Sequence, residues 1–134
     1  MIVVDTNVIA YLLLPGEHSD AAQRAFARDP AWTAPVLWRS EFRSVLAGYM
    51  RKGELDVADA AELEQAAGTI LEGAEFHPDG GRVLRLVAAS RCSAYDCEFV
   101  ALGEELGVPL VTTDARVLKD FPETTLALEE FGRG

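Results

Sequence analysis

Three short acidic stretches carry the chemistry open to this chain: Asp5-Thr6-Asn7, Ser93-Ala94-Tyr95-Asp96 and Thr112-Thr113-Asp114. Asp5 ends the first apolar run, Ile2-Val3-Val4, and Asp114 follows the last strong one, Leu110-Val111-Thr112. In open parallel sheets, ligands bind in the crevice beyond the carboxyl ends of the strands. Aspartates at two such ends point into one crevice. Crowded carboxylates repel each other, so the cluster needs a proton or a cation to hold it. A hard divalent metal with oxygen ligands meets that need.

The elements that must position these acids follow from the apolar pattern. Ile2–Val4 reads as a buried strand, because parallel strands covered on both faces are continuously apolar. Helices are expected over Thr6–Leu14, from Ser19 as cap to Ala27, over Val36–Lys52 with Pro35 in its first turn, and over Val57–Leu71 capped by Asp56. Further helices fall at Arg82–Arg91 after Gly80-Gly81, from the Ser93 cap to Leu106 before Gly107, and at Ala115–Asp120. Short strands are expected at Trp32–Ala34, around Phe76, at Leu110–Thr113 and, at an edge, Thr125–Leu128. Helices alternating with short apolar strands predict an α/β fold with a mainly parallel sheet, in a single domain spanning residues 1–134.

Lengths alone bring the acids together. A helix of about 12 residues spans ~18 Å, and about five strand residues span ~16 Å. If the helix after Ser93 folds back along the next strand through Gly107-Val108-Pro109, its N-terminus meets the strand's C-terminus. Asp96 then shares an edge with Asp114, and with Asp5 if the first strand runs parallel. Glu41 falls at the border of the Trp38/Phe42/Val45/Tyr49 stripe, half-buried and in want of a partner. Each acid also has a structural reading: Asp5 and Asp114 as helix caps, Ser93 and Asp96 as a capping box, Glu41 as the partner of an arginine.

The bulk composition bounds the rest. The chain has 22 acidic and 12 basic residues, a net charge of −10, which disfavours loose electrostatic binding of nucleic acid. Bound divalent cations and local arginines can reverse the field at one crevice. Two cysteines, Cys92 and Cys97, flank Asp96 and read as packing residues, in keeping with a reducing, cytoplasmic setting. No basic segment with an apolar run opens the chain, and no run approaches the ~20 residues that span a bilayer. A nucleotide-binding Gly-rich loop and a Gly-x-Ser-x-Gly elbow are both missing, and His18 and His77 are isolated.

Val3-Val4-Asp5-Thr6-Asn7-Val8, Ser40-Glu41, Ser93-Ala94-Tyr95-Asp96 and the block from Ala101 to Thr112-Thr113-Asp114 together resemble the PIN-domain family, nearly end to end. The size is similar to that of VapC-type toxins, the ribonuclease half of bacterial toxin–antitoxin pairs. The resemblance implies a three-layer α/β sandwich with a short parallel sheet flanked by helices. It implies a metal-dependent endoribonuclease in which Asp5, Glu41, Asp96 and Asp114 bind one or two Mg²⁺ or Mn²⁺ ions and leave a 5′-phosphate and a 3′-hydroxyl. Asp5 is then the ligand shared by both ions and Asp96 the next strongest, while Glu41 binds through water or orients the nucleophile. Asn7, Ser93 and Thr112 position these carboxylates, and Thr6 either joins them or merely begins its helix. Arg39, Arg43, Arg82, Arg85, Arg116 and Lys119 are the candidate RNA-phosphate contacts. Implied partners are a VapB-like antitoxin covering the crevice and a second copy of the chain, with the outer apolar positions of Val36–Lys52 and Val57–Leu71 as a groove.

Other readings fit the residues less well. A phosphatase of the haloacid-dehalogenase type wants a second aspartate two residues after the first, where this chain has Asn7. A phosphate-receiver domain gives no reason for Glu41 or Thr112-Thr113-Asp114. A non-catalytic PIN-fold binding protein with a remnant acidic pocket is the alternative of a different class, told apart by its lack of response to Mg²⁺ or Mn²⁺.

Overall fold

The computed structural model describes all residues, Met1–Gly134. Five strands form one sheet: β1 (Ile2–Val4), β2 (Trp32–Pro35), β3 (Glu75–Phe76), β4 (Leu110–Thr112) and β5 (Thr125–Ala127). Their order is β3-β2-β1-β4-β5, and every neighbouring pair is parallel. Eight helices accompany them: α1 (Thr6–Leu13), α2 (Ser19–Arg28), α3 (Trp38–Arg51), α4 (Val57–Ile70), α5 (Gly80–Ala88), α6 (Ala94–Leu106), α7 (Ala115–Asp120) and α8 (Leu128–Arg133). The result is an α/β sandwich. α6 packs along β1, β2 and β4 with α5 against it, and α1, α2 and α8 form a second layer with α8 on β4 and β5.

β1 lies in the middle of the sheet with all three of its residues buried, so its continuous Ile-Val-Val run is the pattern of a strand covered on both faces. From β1 the chain builds β2 and β3 to one side, then crosses back to lay β4 and β5 on the other. The order therefore reverses between β1 and β4, the position where open α/β sheets bind ligands. Register completes the placement: Val3 pairs with Leu110 and Val4 with Val111, which carries Asp5 level with the end of β4.

Several boundaries differ from expectation for identifiable reasons. Ser19 does not cap α2; His18 takes the N-cap position without a side-chain bond. Pro35 belongs to β2 and not to a helix, since the ladder needs no N–H from it and continues through Val36, whose N–H donates to the Phe76 carbonyl at 3.0 Å. α3 consequently starts later, at Trp38. α5 begins at Gly80 because Asp79 caps it, accepting from the Arg82 N–H at 2.9 Å. Thr125–Leu128 is a strand only to Ala127; α8 follows directly and buries Leu128 and Phe131. α7 is equally short but announced by its Asp114 cap, whereas α8 has neither a side-chain cap nor enough residues to show helical periodicity, so the sequence carried no signal for it. No helix is long and apolar enough to cross a membrane.

The core holds Trp32, Trp38 and Phe42 as its largest fully buried side chains. Trp38 and Phe42 lie on one face of α3 with ring centroids 5.9 Å apart. They fix how that helix is turned, and hence where Glu41 points. On the outer side, α3 and α4 enclose a hollow of about 250 Å³ lined by residues such as Leu46, Met50 and Val57, the groove expected for this helical pair.

Candidate active site

Asp5, Glu41, Asp96 and Asp114 line one cavity of about 400 Å³, joined there by Thr6, Asn7, Ser44 and Val45. Each acid arrives on a different element. Asp5 follows β1, Glu41 sits in the first turn of α3, Asp96 in the first turn of α6, and Asp114 between β4 and α7. The convergence expected from element lengths is therefore realised.

Capping and clustering turn out to be compatible. Asp5 caps α1, Asp114 caps α7 by accepting from the N–H groups of Arg116 (2.9 Å) and Val117 (3.1 Å), and Ser93 with Asp96 forms a reciprocal capping box on α6. Helix N-termini carry partial positive charge that favours nearby carboxylates. Three of them meet at this rim, which is how the fold assembles so much negative charge without a basic residue lining the cavity.

Hydroxyl groups set the orientation of two of the acids, Asp5 and Glu41. Thr112 donates to Asp5 Oδ2 at 2.8 Å, and its oxygen accepts the Asp114 backbone N–H at 3.0 Å, so one buried side chain ties both aspartates. Thr6, also buried, donates to Glu41 Oε1 at 2.7 Å. Thr6 is thus a positioning residue as well as the start of α1. Asn7 reaches Asp5 only through its backbone N–H, at 3.5 Å.

Burial raises the pKa of Asp5 above the ordinary value, and the charges of Asp96 and Asp114 raise it further; the Thr112 hydroxyl and the Asn7 N–H oppose this. Glu41 is raised mainly by burial and then by Asp5, Asp96 and Glu98, against the Thr6 hydrogen bond. None of the four acids has a salt-bridge partner in the chain. Gathered at one cavity and unpaired, with Asp5 and Glu41 also desolvated, these carboxylates are a donor set for a hard cation. The side chains as placed form no ready three-ligand cage. Mg²⁺ does not require one, because it keeps several waters and takes one or two carboxylates plus substrate oxygens. The residues fit such an ion.

Replacing Thr112 with valine, nearly isosteric, tests the orienting role. If Asp5 holds a metal ion, Thr112→Val should lower the affinity for it, and any activity that depends on it, about 10–100-fold, the usual loss when a partner of a metal ligand is removed. Activity within two-fold of wild type in a steady-state assay would show that Asp5 needs no such hold.

The basic candidates are dispersed. Arg39 is gripped by Glu75 at 2.7 and 2.8 Å and lies over Trp38, Arg43 pairs with Glu64 at 3.0 Å, and Arg82 with Glu104 at 3.0 Å. None of the six lines the acidic cavity, although Arg116 touches Asp114 through its backbone. A larger hollow of about 510 Å³ lies along Arg39, Glu64, Glu72 and Glu75, where Arg39 is already taken by Glu75 and Glu64 by Arg43. Two residues escaped the sequence reading. Ser44 lies one helical turn after Glu41, a spacing that puts it on the same face. Glu98 acts on Glu41 but sits two positions from Asp96, where helical spacing gives no cue. Cys92 and Cys97 are buried, and burial pushes Cys92 up to about 11, so neither is a ready nucleophile.

Residues 2–123 match the PIN domain family model. Over 125 residues the chain is 28% identical to Ribonuclease VapC3 of Pyrobaculum aerophilum, covering 90% of this chain and 95% of that protein. The crystal structure of PAE2754 from P. aerophilum shares the fold with a TM-score of 0.76 at 19% identity, covering 98% of this chain and 93% of the other. FitAcB from Neisseria gonorrhoeae is similar at TM-score 0.76 and 16% identity, covering 96% and 98%.

Proposed function

The chain belongs to the PIN-domain family, and from that premise we propose that it is a divalent-metal-dependent endoribonuclease, the toxin of a VapC-type toxin–antitoxin pair. The observation that carries this reading is the set of four unpaired carboxylates, from four separate elements, around one cavity at the sheet's switch point. Similarity to a protein named as a ribonuclease supports the substrate class.

Asp5, Asp96 and Asp114 would hold Mg²⁺ or Mn²⁺, one ion or two, with Glu41 binding directly or through water. Such an ion supplies Lewis-acid polarisation of a phosphodiester and activation of a water nucleophile. The chain's own residues do the rest. Thr112 keeps Asp5 turned toward the cavity, the α6 N-terminus holds Asp96, and Thr6 fixes Glu41 so that it can accept a proton from, or orient, the attacking water. A phosphate entering this cavity meets repulsion unless cations precede it, so metal and RNA binding are coupled. Cytoplasmic action, a VapB-like antitoxin that covers the acidic cavity and a homodimer complete the proposal. The apolar α3–α4 hollow supports a protein partner on that side.

The decisive assay is cleavage of total RNA, including tRNA, by the protein freed of any partner, in EDTA, Mg²⁺ or Mn²⁺. Cutting that requires the metal and is lost in Asp96→Asn establishes the nuclease. Absence of cutting together with no Mn²⁺ binding by calorimetry rejects it in favour of a non-catalytic binding protein.

A further inference from the structure

A second pocket, of about 290 Å³, adjoins the acidic cavity and contains none of the four acids. Asn7 and Val45 line both, so the two spaces share a wall. The pocket is walled by α1, the loop at Pro15-Gly16 and α3, and its lining includes Tyr11, His18 and Tyr49. Tyr11 and His18 lie ring against ring, with centroids 4.6 Å apart and planes 39° from parallel. His18 Nδ1 is buried with no hydrogen-bond partner.

We propose that this pocket is a nucleobase subsite, which takes one unpaired base of the RNA strand whose phosphate occupies the acidic cavity. The inference rests on the ribonuclease reading and deepens it by naming where substrate specificity is set. Three features select a base over other occupants. Bases of single-stranded RNA stack on aromatic faces, and their edges carry the donors and acceptors that the Asn7 amide in the shared wall can meet. The wall shared with the acidic cavity suits a ligand in which a flat polar ring is tethered to a phosphate. The net charge of −10 removes the usual source of RNA affinity, many Lys and Arg contacts. Stacking supplies affinity without positive charge, and an acidic protein has particular need of it.

The test uses short single-stranded RNAs with the fluorescent base 2-aminopurine at successive positions. Binding is followed in Ca²⁺, a hard cation used here in place of Mg²⁺, and cleavage in Mg²⁺. The full chain is compared with His18→Ala and Tyr49→Leu, each first shown to unfold cooperatively on heating. We expect fluorescence quenching at one position beside the cleaved bond, lost in both variants, with binding weakened roughly ten-fold, as for removal of one base–aromatic stack. Quenching that survives both variants, or none at any position, overturns the subsite, and the pocket then belongs to another ligand such as a protein segment. The two readings fail separately. Cleavage without position-specific quenching leaves the nuclease and removes the subsite. Position-specific quenching with neither cleavage nor Mn²⁺ binding leaves a base-binding pocket and removes the nuclease.

Discussion

Asp5→Asn is expected to lower metal-dependent RNA cleavage by at least about a thousand-fold, since Lewis-acid stabilisation is worth several kcal/mol and each ~1.4 kcal/mol is a factor of ten. Asparagine keeps the shape of the side chain; its amide oxygen accepts from the Asn7 N–H while its NH2 donates to the Thr112 hydroxyl oxygen, so the fold persists. Without metal, the variant should be more stable than the wild type. Asp5 has a raised pKa in the folded protein. The stability it contributes is fully present below its ordinary value of 3.8 and is lost as pH rises through the raised folded value. The stability gap between variant and wild type therefore opens with rising pH. Carboxylates held below their usual range, such as Glu75 beside Arg39, act in the opposite sense but equally in both proteins, so they cancel in the comparison. Mg²⁺ should close the gap, because a ligand that binds only the folded wild type stabilises it. Thermal melts across pH, with and without Mg²⁺, check all of this. Wild-type cleavage by the variant would refute the assignment of Asp5.

Phe42→Ala is expected to be the most damaging core change near the site. The side chain is fully buried in α3, directly after Glu41. Truncating a buried phenylalanine costs about 3–5 kcal/mol, a large part of the ~5–15 kcal/mol that holds a domain together. For a chain of this size the melting temperature should fall by roughly 10–20 °C. Activity should fall further than the unfolded fraction explains, because Phe42 and Trp38 set the rotation of α3 and with it the reach of Glu41. A melting point within about 3 °C of wild type would mean that α3 is anchored elsewhere.

The acidic centre was legible because it depends on one-dimensional quantities. Asp5 and Asp114 sit at the ends of apolar runs, and strand ends in a parallel sheet share one rim whatever else the fold does. Asp96 is tied to Asp114 by the near-equal lengths of α6 and the return through β4. The Ser93 cap and Gly107, which adopts a left-handed φ of 68°, mark both ends of that helix in the sequence itself.

Other features depended on contacts that no local pattern encodes. Whether Arg39, Arg43 and Arg82 faced the cavity or distant carboxylates was settled by tertiary packing, which brought Glu75 on β3, Glu64 on α4 and Glu104 on α6 within reach. α8 formed on β4, β5 and α2, where burial of Leu128 and Phe131 outweighs the weak tendency of a six-residue segment to be helical. The pocket of Tyr11, His18 and Tyr49 unites a helix, a loop and a second helix that are separated along the chain. Sequence alone thus determined the parallel α/β order and the acids at the strand ends, because periodicity and element length are local properties. Which charges are neutralised, and what surrounds the acids, was decided only by tertiary packing, because each such partner lies many residues away and is chosen by shape.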